Sequence, residues 1–198
     1  MSQSTHVSFP TVRGAGLAVL LAVGATACSG ASGAPEPEGP AVLTLSSPDR
    51  ADDGTLPEWA TATVMSFCAG DNRSPRLEWA GVPEGTASFA LTLVDATNPD
   101  YVHWVVTGID APARAVESAA DGAVAEGTVG WNFLAPGVYR GPCAVDHTYS
   151  FTLYALDDEI EGSERTTHDD LIELVDGHVL ATATLDVRPA AADRSAAG

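Results

Sequence analysis

The strongest constraint on the fold is a series of short runs in which apolar residues recur at every second position, several of them interrupted by an ionisable side chain. Ser88–Asp95, Tyr101–Val106 and His147–Tyr154 are three such runs. Successive side chains of a strand point to opposite faces, so Phe89, Leu91, Leu93 and Asp95 share one face, as do His147, Tyr149, Phe151 and Leu153. Further strand signals lie at 42–45, 61–67, 76–79, 127–131 and 179–187, with the central strands spanning 87–95, 101–109 and 148–156. Turn-forming clusters such as Asp52-Asp53-Gly54 and Ala69-Gly70-Asp71-Asn72 separate them. Short strands spaced by turns, without internal repeats, predict a mainly β chain built as a sandwich of antiparallel sheets. One helix is predicted near 168–176. Thr167 is placed to cap it, Asp169 and Asp170 fall where the helix dipole favours acids, and Leu171, Ile172, Leu174 and Val175 form an apolar stripe before Gly177.

The alternation also directs a carboxylate and an imidazole, those of Asp95 and His147, toward the side that should be buried, and His103 sits inside a third apolar run. Burying such groups unpartnered costs a few kcal/mol each, so they must be paired, wetted or functional. From the pattern alone, catalysis, metal binding and a satisfied buried polar cluster all remain open.

The ends of the chain read differently. Residues 1–27 have the form of an export signal: Arg13 is the only Arg or Lys, an apolar stretch runs from Gly14 to Val23, and Ala25-Thr26-Ala27 follows. The stretch falls short of the roughly 20 apolar residues that span a membrane. Cys28 comes directly after these small residues, an arrangement that resembles the lipobox of bacterial lipoproteins, whose cysteine is acylated. Ala25 replaces the usual leucine three positions before it, and ordinary signal-peptidase cleavage after Ala27 is the alternative. Residues 28–42, rich in Pro, Gly and Ala, predict a flexible tether, 43–189 the folded domain, and 190–198 a disordered tail. The expected location is the bacterial cell envelope, outside the cytoplasm, on a lipid anchor or else in secreted form. Export permits disulfides, and setting Cys28 aside for lipid leaves Cys68 and Cys143 as the candidate pair.

Composition excludes several functions. The net charge is −18 and every basic residue is an arginine. Such a surface repels phosphate backbones and anionic membranes at long range, which argues against nucleic-acid binding and leaves the N-terminal lipid as the membrane contact. Without lysine there is no Walker-type phosphate loop, and neither a Gly-x-Ser-x-Gly elbow nor a His-Glu-x-x-His helix occurs. His168-Asp169-Asp170 resembles a metal cluster only superficially, since acids at a helix start have a structural reason. No metal, cofactor or catalytic residue is expected.

An ordered series of motifs carries a more specific message. Cys68-Ala69-Gly70-Asp71-Asn72-Arg73-Ser74-Pro75-Arg76-Leu77-Glu78-Trp79, Val82-Pro83-Glu84-Gly85-Thr86, His103-Trp104-Val105-Val106, Tyr139-Arg140-Gly141-Pro142-Cys143 and Gly177-His178-Val179-Leu180-Ala181 follow one another in this order. Together they resemble the phosphatidylethanolamine-binding protein family, and more closely its bacterial Raf kinase inhibitor-like branch. The resemblance covers roughly residues 43–187 and implies a β-sandwich with a small pocket at one end that accepts anions or phospholipid head groups. It places Asp95, His103, Gly141, Pro142, His147 and Tyr149 at that pocket. It also brings the segments holding Cys68 and Cys143 together, which favours the bridge.

Two positions depart from the family pattern. Thr97 stands where the second acid of the Asp-Pro-Asp-x-Pro motif is usual, and Thr148 where an arginine follows the pocket histidine. Two charges near the pocket are thereby lost, implying a looser or differently selective site of weak affinity. The expected function is non-enzymatic binding of a small anion or head group. The alternatives are an interaction module that inhibits an extracytoplasmic hydrolase or signalling protein, and a hydrolase.

Overall fold

The computed structural model describes residues 42–64, 68–125 and 127–191. The expected export signal, Cys28 and all of the tether except Val42 lie outside the described residues, as do Met65–Phe67 of one predicted strand and 192–198 of the tail. In chain order the elements are β1 (Thr44–Ser46), β2 (Thr55–Leu56), β3 (Thr63–Val64), β4 (Cys68–Ala69), β5 (Leu77–Ala80) and β6 (Ser88–Asp95). They continue with β7 (Val102–Asp110), β8 (Ala115–Val116), β9 (Thr128–Val129), β10 (Tyr149–Leu156), α1 (His168–Val175) and β11 (Val179–Pro189).

The large sheet has six strands in the order β2-β11-β10-β6-β7-β9, a smaller one has three in the order β1-β5-β8, and β3 pairs with β4. Among the described residues all strand pairings are antiparallel except the short contact of β2 with the end of β11, through Thr55–Arg188 and Leu56–Pro189. The two principal sheets face each other across a core that includes Leu45, Leu77 and Trp79 from the smaller sheet and Phe89, Leu91, Leu93, Trp104, Val106, Phe151 and Leu153 from the larger. Each fully buried side chain of this size contributes about 1.5–3 kcal/mol relative to exposure, so this interface dominates the stability of the fold.

The back of the large sheet is covered as well. Ala90, Val105 and Leu156 meet Ile160 and, from α1, Leu171 and Val175. Hence β6 is not a half-buried strand: all of it but Val94 is buried. Simple alternation had suggested one buried face, and the second arises because a helix returns over the sheet. That helix is closed at its start by the predicted cap. Thr167 Oγ1 accepts the Asp170 N–H at 3.2 Å while the Asp170 carboxylate accepts the Thr167 N–H at 2.9 Å. Only half of the predicted apolar stripe is used: Leu171 and Val175 are buried, whereas Ile172 and Leu174 remain 41% and 40% exposed.

Candidate functional site

Asp95 is the last residue of β6 and lies directly across from Tyr149, the first residue of β10. Its carboxylate terminates the strand by accepting, through Oδ1, the N–H groups of Thr97 and Asn98 at 2.9 and 3.0 Å. This aspartate turn sends the chain out of the sheet just before Pro99 and brings it back at Tyr101, whose carbonyl accepts the Asp95 N–H at 3.0 Å. The other oxygen, Oδ2, accepts a hydrogen bond from His147 Nδ1 at 2.6 Å. Asp95 is thus buried with its carboxylate satisfied by three donors.

His103 reaches the same place by a local irregularity. In the ladder between β6 and β7, Leu93 pairs with Trp104 and Val94 with Val102, so His103 is an extra residue without a partner in β6. Such a bulge re-aims side chains. Uninterrupted alternation would group His103 with Val105, which packs beneath α1. Instead its ring meets Tyr149 edge-on at 5.0 Å and Phe133 at 5.1 Å. Two bonds hold it there: the His103 carbonyl accepts the Arg140 N–H, and His103 Nδ1 donates to the Arg140 carbonyl, both at 2.9 Å.

The two imidazoles sit in opposite electrostatic environments. Burial pushes His103 below the ordinary imidazole range, against the smaller opposing pulls of the Arg140 carbonyl and Asp95. His147 stands on the loop before β10 with its side chain 28% exposed, and the hydrogen bond to Asp95 raises it above that range. Tyr149 completes the group. Its hydroxyl oxygen accepts the N–H groups of Cys143 and Ala144 at 3.3 and 3.0 Å, and burial raises its pKa.

These residues open onto a cleft of ≈ 590 Å³. Asp95, His103, His147 and Tyr149 line it together with Asn98, Tyr101, Phe133, Cys143, Ala144, Val145 and Asp146. Of the six residues expected to contact ligand, four therefore converge on the cleft; Gly141 and Pro142 are not among its lining residues, although the Gly141 backbone lies against the His103 ring. Gly141 has a packing role. Its N–H donates to Asn72 Oδ1 at 2.9 Å, and a Cβ there would fall inside contact distance of the Ala60–Ala62 backbone. The Pro142 carbonyl accepts the Ala62 N–H at 3.4 Å. Cys143, the next residue, is joined to Cys68 in a disulfide with the Cα atoms 5.8 Å apart, and this clamps the wall to the opposite segment.

The positions that depart from the family pattern still touch. Thr148 N–H donates to Thr97 Oγ1 at 3.0 Å, and Ala96 N–H donates to the Thr148 carbonyl at 2.9 Å. A neutral tie therefore joins the turn after β6 to the approach of β10. The sequence reading missed Asn98, Tyr101, Phe133, Val145 and Asp146 as cleft residues. Asn98 and Tyr101 adjoin the aspartate motif and were within reach of it; Phe133 arrives from a distant loop with no local signal.

The geometry defines a class: a β-sandwich with a histidine-lined cleft where its central strands end. The sequence profile of phosphatidylethanolamine-binding proteins matches residues 46–189. The chain belongs to the phosphatidylethanolamine-binding protein family. A protein of Methanothermobacter thermautotrophicus is 36% identical over 141 residues, covering 68% of this chain and 89% of that protein. LppC of Mycobacterium tuberculosis, described as a candidate lipoprotein, is 40% identical over 123 residues, 58% of this chain and 55% of that protein. Among solved structures, Escherichia coli YbcL, described as a member of the mammalian family, superposes with a TM-score of 0.66 at 26% identity, covering 73% of this chain and 96% of its own. The Chlamydia trachomatis homologue CT736 gives 0.64 at 28% identity, with 74% and 96% covered.

Proposed function

We propose that this chain is an exported, lipid-anchored, non-enzymatic binding protein whose cleft takes a small anion or a phospholipid head group. The observation that carries the reading is the meeting of Asp95, His103, His147 and Tyr149, from three separate runs of sequence, on one cleft of ≈ 590 Å³. Each histidine spends Nδ1 on the protein, leaving Nε2 as the ring's remaining polar atom for a ligand. Among the described residues, the partners of those two Nδ1 atoms are a carbonyl and a carboxylate, not a hydroxyl or thiol. Hydrolysis would need a nucleophile at the other ring nitrogen, Nε2, and among the described residues no hydroxyl or thiol is hydrogen-bonded there, which favours binding over turnover. The anchor rests on Cys28 with its small-residue approach and on the likeness to LppC. Mass spectrometry of the membrane-extracted protein should find an acylated Cys28 at the mature N-terminus.

Isothermal titration with phosphate, acetate and phosphoethanolamine tests the ligand reading. Saturable heat that disappears in the His103→Ala, His147→Ala variant is expected; a flat response in the wild type contradicts it.

A second reading has its own support. Tyr101 and Val145 at the mouth of the cleft are large, apolar and exposed, as are Trp131 and Leu134. Exposed apolar clusters mark contact surfaces, which suits an inhibitor of an extracytoplasmic hydrolase or signalling protein. Affinity capture from native membranes should then return one dominant partner, lost in Tyr101→Ser, Val145→Ser.

A further inference from the structure

The cleft offers a ligand an unequal pair of imidazoles. His103 Nδ1 lies 2.9 Å from the Arg140 carbonyl oxygen. A carbonyl only accepts, so the ring hydrogen is on Nδ1, and Nε2 of the neutral ring presents a lone pair. His147 is the reverse case. Its Nδ1–H is bonded to the Asp95 carboxylate at 2.6 Å, which favours the cation and turns Nε2–H into a donor.

The charged surroundings reinforce this difference. Against His103 lie Asp95 from β6, Tyr149 from β10, and Arg140; Asp146 and His147, from the segment leading into β10, line the same cleft. Among the described residues the cleft lining contributes two carboxylates, Asp95 and Asp146, and no arginine. A fully ionised dianion would meet a lone pair at His103 and two carboxylates in the lining.

We propose that the cleft selects an oxyacid that keeps one acidic proton, a phosphomonoester monoanion, whose O–H donates to His103 Nε2 while an anionic oxygen accepts from His147 Nε2–H. This rests on the ligand reading above and narrows it. A phosphodiester carries the same single charge but no proton, so it leaves the buried acceptor of His103 unpaired. A site built around a ligand hydrogen rejects the analogue that lacks it. Free phosphomonoesters and lipid head groups ending in one share this chemistry.

Isothermal titration of the full-length protein with methyl phosphate, dimethyl phosphate and a short-chain phosphatidic acid, at about pH 5.5 and about pH 7.5, separates the outcomes. Monoesters lose their last proton near pH 6, so methyl phosphate should bind at least about tenfold more tightly at the lower pH. It should also exceed dimethyl phosphate there by at least about tenfold. Dimethyl phosphate, having no proton to lose, isolates the contribution of His147 to the pH response. A phosphatidic acid that outbinds methyl phosphate identifies a lipid source, and equal affinities identify the free monoester; both support the shared chemistry. The His103→Gln variant, whose amide offers a donor as well as an acceptor, should bring the diester up toward the monoester. Equal binding of monoester and diester at the lower pH overturns this inference while sparing the anion cleft. No binding of any of the three overturns both.

Discussion

His103 is carried by a bulge in β7 and locked by two bonds to the Arg140 backbone, whereas His147 stands on the loop before β10 and is held by one carboxylate. The same side chain thus takes opposite proton preferences within one cleft. On the strand wall, burial sets the outcome and keeps the ring neutral. On the loop wall, the ring is partly open to water and the Asp95 hydrogen bond prevails. The strands thus fix where the cleft lies, and Asp95 at the end of β6 sets the charge that the loop histidine offers.

The loop wall depends on its tether to the rest of the fold, which gives the largest expected effect. Replacing Cys143 with serine, together with Cys68→Ser, opens a crosslink between residues 75 apart and should cost about 2–4 kcal/mol in urea denaturation. A change under about 1 kcal/mol would mean that the wall is held by its other contacts.

Gly141→Ala is next. The added methyl meets the Ala60–Ala62 backbone rather than a yielding side chain, so a loss of about 1–3 kcal/mol is expected. Ligand binding should fall with stability, and not independently of it, because Gly141 is not among the residues that line the cleft. Selective loss of affinity at unchanged stability would instead put Gly141 in ligand contact.

A subtler effect comes from the opposed titrations. The raised value of His147 means that its contribution is present below the unfolded value of about 6.5 and is lost as pH rises through the folded value. The lowered value of His103 means that its contribution is present above about 6.5 and is lost as pH falls through its folded value. The two slopes offset each other in the wild type. Asp95→Asn removes the support of His147, so denaturation should show a greater loss at about pH 5.5 than at about pH 7.5. An equal loss at both would separate His147 from Asp95 energetically.

Much of this framework was legible in the sequence, for identifiable reasons. Phe89, Leu91, Leu93 and Phe151 alternate strictly, so their strands were found to within a residue or so. The Thr167 cap gave the helix start. His103 was recognised as a site candidate, but alternation alone assigns it the wrong face, because a bulge leaves no mark in the pattern of apolar residues. Gly141 was visible as a special position, while its reason, contact with the backbone of 60–62, depends on segments far apart in sequence. The neutral tie from Thr148 to Thr97 was hidden for the same reason: charge loss at two positions suggested a looser rim, and only their proximity shows that a hydrogen bond joins them.

The inequivalence of the two rings is the central claim, and nitrogen-15 resonances of the histidine side chains near neutral pH measure it directly. His103 should appear as a neutral ring with hydrogen on Nδ1 and a bare Nε2, titrating below the ordinary range, beside a His147 that stays protonated to higher pH and loses this preference in Asp95→Asn. A His103 with hydrogen on Nε2, or two rings that titrate together, would contradict it.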